Sequence, residues 1–292
     1  ALAGLACGTA ATATPSAKSI PAPIAAPASG ATVAPIPTAT PKPAPVPVVA
    51  DREVVLAAWR NLVNGEQDPY YLHDILMVFE SLVDLDNELR PFPQLAESWA
   101  LSDDGLTWTF KLRQGISFTD GTPFDAEAMV VNIQRFIKIS PRPASFFAFN
   151  IKQSYGDLTG VSKIDDRTGT FQLNSPNPSM VFTMSNFFSA MFSPKSFAAN
   201  GDFTGIPAAT GPFKLKEWKK DQFALLERNE GYWGKRPHVQ RIRVRVIPDS
   251  AARVSALLAK EIDGVIELGA LAPGEAKSLE GRPGITVAAD PT

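Results

Sequence analysis

The chain has 292 residues with 28 basic and 30 acidic side chains, for a formal net charge of −2, and it contains one cysteine, Cys7. This balance argues against a nucleic-acid-binding protein, which needs a basic surface to neutralise phosphates. A single thiol excludes an intrachain disulfide framework and a cysteine-rich metal site. No apolar run reaches the roughly 18 residues of a membrane span.

Residues 1–50 differ in composition from the rest of the chain. They hold 10 of the 26 prolines and two lysines, and they contain no acidic or aromatic residue. Such a segment cannot bury enough apolar surface to offset the entropy lost on ordering. We therefore predict a disordered Pro/Ala/Thr-rich tether over residues 8–50 and a folded body over residues 51–292.

The tether is preceded by the apolar segment ALAGLAC, residues 1–7. A small residue before a cysteine, followed at once by a tether, is typical of the end of a bacterial lipoprotein signal peptide. Cys7 is then the predicted lipidation site. Gly4 stands where leucine is usual, so an ordinary signal peptide with an incidental cysteine is the alternative.

The first half of the folded body alternates between strand and helix patterns. A strand is predicted over residues 53–59, and helical spacing of apolar residues follows over residues 72–82. Asp104-Gly105 predicts a hairpin turn before an alternating strand over residues 106–112. Asp125 is the predicted N-cap of a helix. Its apolar face consists of Met129, Ile133, Phe136 and Ile137.

The second half continues this mixture. Hairpins are predicted over residues 161–173 and 213–227, separated by an apolar helix over residues 178–192 whose Met and Phe residues belong to the core. A strand carrying Ile242 and Val244, a helix over residues 250–260 and a strand over residues 264–268 predict a parallel crossover. The fold class is therefore mixed α/β.

A search for catalytic chemistry finds no support for an enzyme. Only two histidines exist, His73 and His238, and no nucleophile elbow, phosphate-binding loop or metal-ligand spacing accompanies them. Paired carboxylates such as Asp103-Asp104 lie in predicted turns, where aspartate is favoured for backbone reasons. We expect no enzymatic activity, no cofactor and no protein-bound metal.

Three segments together point to a known family. They are PQLAESWALSDDGLTWTFKLRQGISFTDGTPFDAEAMVVNIQR (93–135), ATGPFKLKEW (209–218) and LERNEGYWGKRPHVQRIRVRVIPDSAARVSALLAKEID (226–263). In sequence, order and spacing they resemble the family 5 solute-binding proteins of ABC importers, the peptide- and nickel-binding group. The aromatic residues in these segments read as core or inter-subdomain residues: Trp99, Trp108, Tyr232 and Trp233.

The resemblance implies a periplasmic-binding-protein-like II clamshell of two lobes. Residues 51–269 are expected to form most of the first lobe, with an inserted subdomain near residues 83–200. Residues 270–292 are expected to begin a second lobe that is largely missing, as in a C-terminally truncated chain. We expect a monomer that is exported to the periplasm or cell surface, lipid-anchored to the membrane, and that delivers a small solute to an ABC permease and ATPase complex.

Ligand contacts carry over only as candidates. The loop after the first strand, WRNLVNGEQDPYYLH, lies at the cleft mouth in family members, which makes Trp59, Asn61, Tyr70, Tyr71 and His73 candidates. Aromatic faces with a hydrogen-bond donor suit a peptide or another amphipathic ligand. Arg142 is a candidate for a ligand carboxylate, because the guanidinium fork matches that group.

The ligand is expected to be an oligopeptide or dipeptide, with a nickel chelate as the alternative. Phrases such as NEGYWGKRP are similar to the nickel-binding subgroup, whereas Phe187-Phe188 stand where that subgroup carries an arginine. Haem and sugars are also ligands in this family. Two other functions stay open: an exported enzyme, and a chemoreceptor or chaperone-like use of the same fold.

Overall fold

The computed structural model describes residues 52–61, 78–86, 88–139, 157–186, 189–266 and 270–287. Cys7 and the predicted tether lie outside them. The strands are β1 (Val54–Ala58), β2 (Val83–Leu85), β3 (Pro91–Pro93), β4 (Ala96–Leu101), β5 (Thr107–Leu112), β6 (Leu158–Asp165), β7 (Thr168–Leu173), β8 (Phe213–Lys219), β9 (Phe223–Arg228), β10 (Arg241–Val246) and β11 (Gly264–Val265). The helices are α1 (Ala126–Ile139), α2 (Met180–Thr183), α3 (Ser250–Leu258) and α4 (Pro273–Leu279), with a 3₁₀ turn at Pro194–Ser196.

A five-stranded mixed sheet has the order β11-β1-β10-β9-β8. Strand β1 runs parallel to both β10 and β11, whereas the β10–β9 and β9–β8 pairs are antiparallel. The predicted strand, helix and strand over residues 242–268 are therefore confirmed as β10, α3 and β11. The sequence did not indicate that β1 lies between the two strands.

A four-stranded antiparallel sheet has the order β4-β5-β7-β6, and α1 packs on β6 and β7. The predicted turn at Asp104-Gly105 joins β4 to β5, with Gly105 at a φ of +72°. Trp108, Phe110 and Leu112 point to the buried face, as the alternation of β5 predicts. The predicted hairpin over residues 161–173 is confirmed as β6 and β7.

Helix α1 begins where the sequence predicts. The backbone N–H of Ala128 donates to Oδ1 of Asp125 at 2.9 Å, which is an N-cap bond. Met129, Ile133 and Phe136 are buried, but Ile137 is 38% exposed, so the apolar face is narrower than predicted.

Two predicted helices are wrong in extent. Among the described residues of the predicted 178–192 helix, only Met180–Thr183 form an α-helix. The Met residues of this segment and Phe192 are buried as expected, but Phe182 is 46% exposed. The hydroxyls of Ser185 and Ser189 donate to the carbonyls of Phe182 and Thr183, which satisfies backbone acceptors at the carboxyl end of α2. Phe187-Phe188 lie outside the described residues.

The helix predicted over residues 72–82 is also corrected at its end. Phe79 and Leu82 are buried but not helical, and Glu80 between them forms a bridge with Met191. Leu72, Ile75 and Leu76 lie outside the described residues. At this end of the segment, the apolar spacing therefore indicated buried residues but did not indicate a helix.

One continuous hydrophobic core joins the two main sheets, because Ala58 and Val244 from one sheet and Phe110 and Phe171 from the other belong to the same cluster. A smaller cluster lies on the other face of the five-stranded sheet, under α3. The apolar residues of this helix predict a buried face of Val254, Leu257 and Leu258. The structure corrects this face, because Arg253 and Ala256 are the buried residues of α3, whereas Leu258 is exposed.

Candidate functional site

The carboxyl ends of the parallel strands meet at one edge of the five-stranded sheet. The N–H of Ile247 donates to the carbonyl of Ala58 at 2.8 Å, and the N–H of Ile266 donates to that of Ala57 at 2.9 Å. We call Trp59–Asn61, Ile247 and Ile266 the carboxyl edge. In α/β sheets this is the edge at which ligands bind.

Trp59 is the most exposed aromatic side chain at the carboxyl edge. Its side chain is 42% exposed, and the guanidinium carbon of Arg60 lies 5.2 Å from its ring centroid. An exposed indole beside a cation offers an apolar face and a charge to a solute. This position is consistent with the predicted role of Trp59, which stays a prediction.

Asn61 has its amide engaged by the turn between β8 and β9. Its Nδ2 donates to Oδ1 of Asp221 at 2.7 Å, and the N–H of Asp221 donates to Oδ1 of Asn61 at 2.6 Å. Asp221 has a φ of +59°, so this turn residue adopts a left-handed conformation. Asn61 therefore anchors the start of the loop that follows β1.

A second anchor stands where the described chain resumes after that loop. The carboxylate of Glu80, only 1% exposed, accepts hydrogen bonds from the Tyr232 hydroxyl at 2.8 Å and from Nε1 of Trp233 at 2.9 Å. Burial and the neighbouring Glu80 carboxylate hold the pKa of the Tyr232 hydroxyl above its ordinary value. The phenol is therefore a permanent donor to Glu80 near neutral pH.

Trp233 also makes a cation–π contact with Arg113. The guanidinium carbon of Arg113 lies 5.2 Å from the Trp233 ring centroid, and its Nε donates to the carbonyl of Gln94. Side-chain Oε1 of Gln94 in turn accepts from the N–H of Ser81. The anchor at Glu80 is thus connected to the four-stranded sheet through Arg113, which follows β5, and Gln94, which precedes β4.

Four of the predicted ligand residues lie outside the described part of the chain: Tyr70, Tyr71, His73 and Arg142. The structure brings Trp59 and Asn61 to one edge and does not test the others. Sequence reasoning missed Glu80. The available signal was a single charged residue inside the apolar run ILMVFESLV, which is a pattern typical of a buried, paired carboxylate.

The described residues contain neither a membrane-spanning helix nor a cluster of metal ligands. No helix among them is long and apolar enough to span a membrane. Within the same ranges, no group of three or more His, Cys, Asp or Glu side chains is arranged to hold a metal ion.

Residues 90–292 match the family described as bacterial extracellular solute-binding proteins, family 5 Middle. The chain belongs to this family. The expected resemblance to family 5 is thereby confirmed, and so is the fold class that it implied, because solved family structures match the described architecture.

The solved family 5 structure of NikA from Brucella suis in complex with Fe(III)-EDTA superposes with a TM-score of 0.69 at 30% identity, covering 78% of this chain and 46% of that one. Among curated family 5 proteins, the glutathione-binding protein GsiB of Escherichia coli O1:K1 / APEC is 33% identical over 217 residues, which are 71% of this chain and 41% of GsiB. The nickel-binding periplasmic protein of Escherichia coli K12 is 33% identical over 192 residues, 64% of this chain and 35% of that protein.

The chain therefore spans less than half the length of the family 5 relatives that it matches. Both curated relatives are named as binding proteins. The division into a first lobe at 51–269 with an insertion near 83–200 stays a prediction. The strands of the four-stranded sheet come from residues 96–173, which lie in the chain after β1 and before β8 of the five-stranded sheet.

Proposed function

We propose that this family 5 chain belongs to the extracytoplasmic solute-binding component of an ABC importer, which captures a solute and delivers it to a membrane permease and its ATPase. One observation carries the proposal: an exposed Trp59 stands at the carboxyl ends of parallel strands in a family 5 fold. That edge is where an α/β sheet receives a small ligand.

The proposed solute is peptide-like. The relative GsiB is named for glutathione, a tripeptide. An exposed indole with a neighbouring guanidinium provides an apolar face for a peptide side chain and a cation for a peptide carboxylate. Tyr70, Tyr71, His73 and Arg142 remain proposed further contacts.

A nickel chelate is the second candidate, because one relative is named as nickel-binding and one matching structure holds Fe(III)-EDTA. A chelate brings its own metal ligands, so the protein needs only cations and aromatic faces to hold it. The two candidates share the Trp59 edge and differ in whether metal accompanies the solute.

Mass spectrometry of the solute that co-purifies with the whole protein separates the two candidates. The proposal expects peptides that are released on denaturation and bound again by the refolded protein. Recovery of metal chelates alone would contradict the peptide reading. Neighbouring permease and ATPase genes would support transport, whereas neighbouring signalling genes would favour a chemoreceptor.

The same proposal implies that the protein works outside the cytoplasm. It is supported by one relative, which is named as a periplasmic protein. Lipidation of Cys7 and the Pro/Ala/Thr-rich tether over residues 8–50 would hold the binding domain at the membrane surface. No catalytic step is part of the proposed function, and hydrolase assays on peptide substrates are expected to show no turnover.

A further inference from the structure

A cavity lies at the amino-terminal end of β1 and β11, at the edge of the sheet opposite Trp59. It has a volume of about 630 Å³, and Arg52, Lys260, Asp263 and Arg282 contribute its charged wall. Its apolar wall includes Leu257, Ile262 and Ile285. This volume falls within the range of small-molecule sites in proteins.

The charges on this wall do not cancel. Asp263 is the only carboxylate among the described residues of the wall, and both of its oxygens are engaged, one by the Arg52 guanidinium and the other by the N–H of Val55 at 2.8 Å. Nε of Arg282 donates to the carbonyl of Ser278 at 2.9 Å, and neither Arg282 nor Lys260 forms an ion pair with a described residue. Within the described part of the chain, two cations therefore line the cavity without a carboxylate partner.

Lys260 holds its position in a backbone conformation that favours glycine. Its φ is +59°, and its N–H closes the end of α3 by donating to the carbonyl of Leu257 at 3.1 Å. Helices commonly end with glycine at such a left-handed position. A lysine in this conformation costs more free energy than a glycine would, and it directs a cation to the rim of the cavity.

We propose that this cavity binds a small aliphatic carboxylate, with the anionic head between Lys260 and Arg282 and the chain against Leu257, Ile262 and Ile285. The two cations favour an anionic head, because a negative charge gains Coulomb attraction from both and a neutral head does not. The apolar wall selects a hydrocarbon body, which leaves water on binding. The site is separate from the proposed transport site and does not depend on it.

Isothermal titration calorimetry of the whole protein with octanoate tests the proposal, with 1-octanol as the uncharged probe of the same chain length. We expect saturable octanoate binding that weakens as salt is added, since exposed charges are screened. The proposal is overturned if octanoate does not saturate the protein by about 10 mM. It is also overturned if 1-octanol binds equally well.

Two variants locate the binding, with Lys235→Gln as the control for an exposed lysine elsewhere. Lys260→Gly and Arg282→Gln should each raise the octanoate Kd about fivefold. Lys260→Gly should also keep or raise Tm, because glycine relieves the positive φ. A structural role for Lys260 alone predicts a raised Tm with unchanged octanoate affinity, and that result would refute the assignment.

Discussion

Among single residues, Glu80 combines nearly complete burial with hydrogen bonds from two aromatic donors. Glu80→Ala should lower the free energy of unfolding by about 2 kcal/mol, because it leaves the half-buried Tyr232 hydroxyl and Trp233 indole N–H without their acceptor. Urea denaturation of the whole protein measures the loss. The exposed Glu88→Ala should change stability by less than about 0.5 kcal/mol. Equal losses in both variants would contradict the anchoring role of Glu80.

The Tyr232 hydroxyl makes stability sensitive to alkaline pH. Burial, followed by the Glu80 charge, raises its pKa in the folded protein, so the folded state favours the neutral phenol. That contribution is complete below the unfolded pKa of about 10 and is lost as pH rises from there towards the folded pKa.

Urea midpoints measured at pH 8 and at alkaline pH should therefore fall more steeply for the parent protein than for Tyr232→Phe. All other titratable groups are common to the two proteins, so the difference between their profiles isolates this residue. Parallel pH profiles would contradict the assignment.

Trp59 is the residue whose loss should separate binding from stability. Trp59→Ala is expected to raise the Kd for the co-purifying solute about tenfold, because an aromatic anchor contributes strongly to a binding site. Phe92→Ala on β3 is a matched control, since Phe92 is exposed at 40% and lies outside the carboxyl edge. Tm should change little in either variant. An unchanged Kd for Trp59→Ala would remove Trp59 from the proposed site.

At the scale of elements, the hairpin between β4 and β5 depends on Gly105. Its φ of +72° strains any L side chain, and an added Cβ would lie 2.9 Å from Cβ of Pro176. Gly105→Ala should cost about 2 kcal/mol of unfolding free energy. Gly205→Ala is the control, because its φ is not positive and nothing lies within 4 Å of its added Cβ. Thermal or urea denaturation measures both, and a neutral Gly105→Ala would contradict the turn geometry.

Elements with local signals were predicted well, and elements decided by distant contacts were not. Asp125 caps α1 because its side-chain Oδ1 accepts from the N–H of Ala128, and Gly105 permits a turn because it adopts a positive φ. The 178–192 helix was wrong because Met191 pairs with Glu80 instead of continuing a helix.

Helix α3 shows the same limit. Its predicted apolar face did not anticipate that Arg253 would be buried. Nε of Arg253 donates to the carbonyl of Ala270, and its Nη1 donates to that of Pro248. An arginine that donates to backbone carbonyls needs no acidic partner, so no pattern of charges in the sequence indicates its burial.

At the scale of the whole molecule, the two ends of the predicted ligand loop are held by different parts of the fold. Asn61 is bound by the β8–β9 turn, and Glu80 is bound by the segment after β9. Ala58 at the end of β1 and Phe79 beside Glu80 belong to the same hydrophobic cluster, so both ends of the loop adjoin one core. This arrangement suits a receptor whose site must be preformed on one side before a solute arrives.

Attachment to the membrane is a prediction about the whole chain. In a bacterial host that processes lipoproteins, Cys7→Ser should move the protein from the membrane fraction to the soluble fraction, because the acyl chains that hold it would be lost. Ser16→Ala, in the same segment, should leave the distribution unchanged. Fractionation with mass spectrometry of the N-terminal peptide measures both. An unmodified Cys7 would favour the ordinary signal peptide.

The sequence by itself determined the mixed α/β class, the turns and the alternating strands, because neighbouring residues encode backbone preference and burial period. The family followed separately, from the resemblance of three long segments. It also located Trp59 and Asn61 after the first strand. Only the tertiary structure decided that Glu80 binds Tyr232 and Trp233, which are 152 and 153 residues away. It likewise decided that β1 lies between β10 and β11 and that Lys260 and Arg282 line the same cavity. Partners so distant along the chain are selected by packing and by the need to satisfy buried polar groups, and no local pattern carries that information.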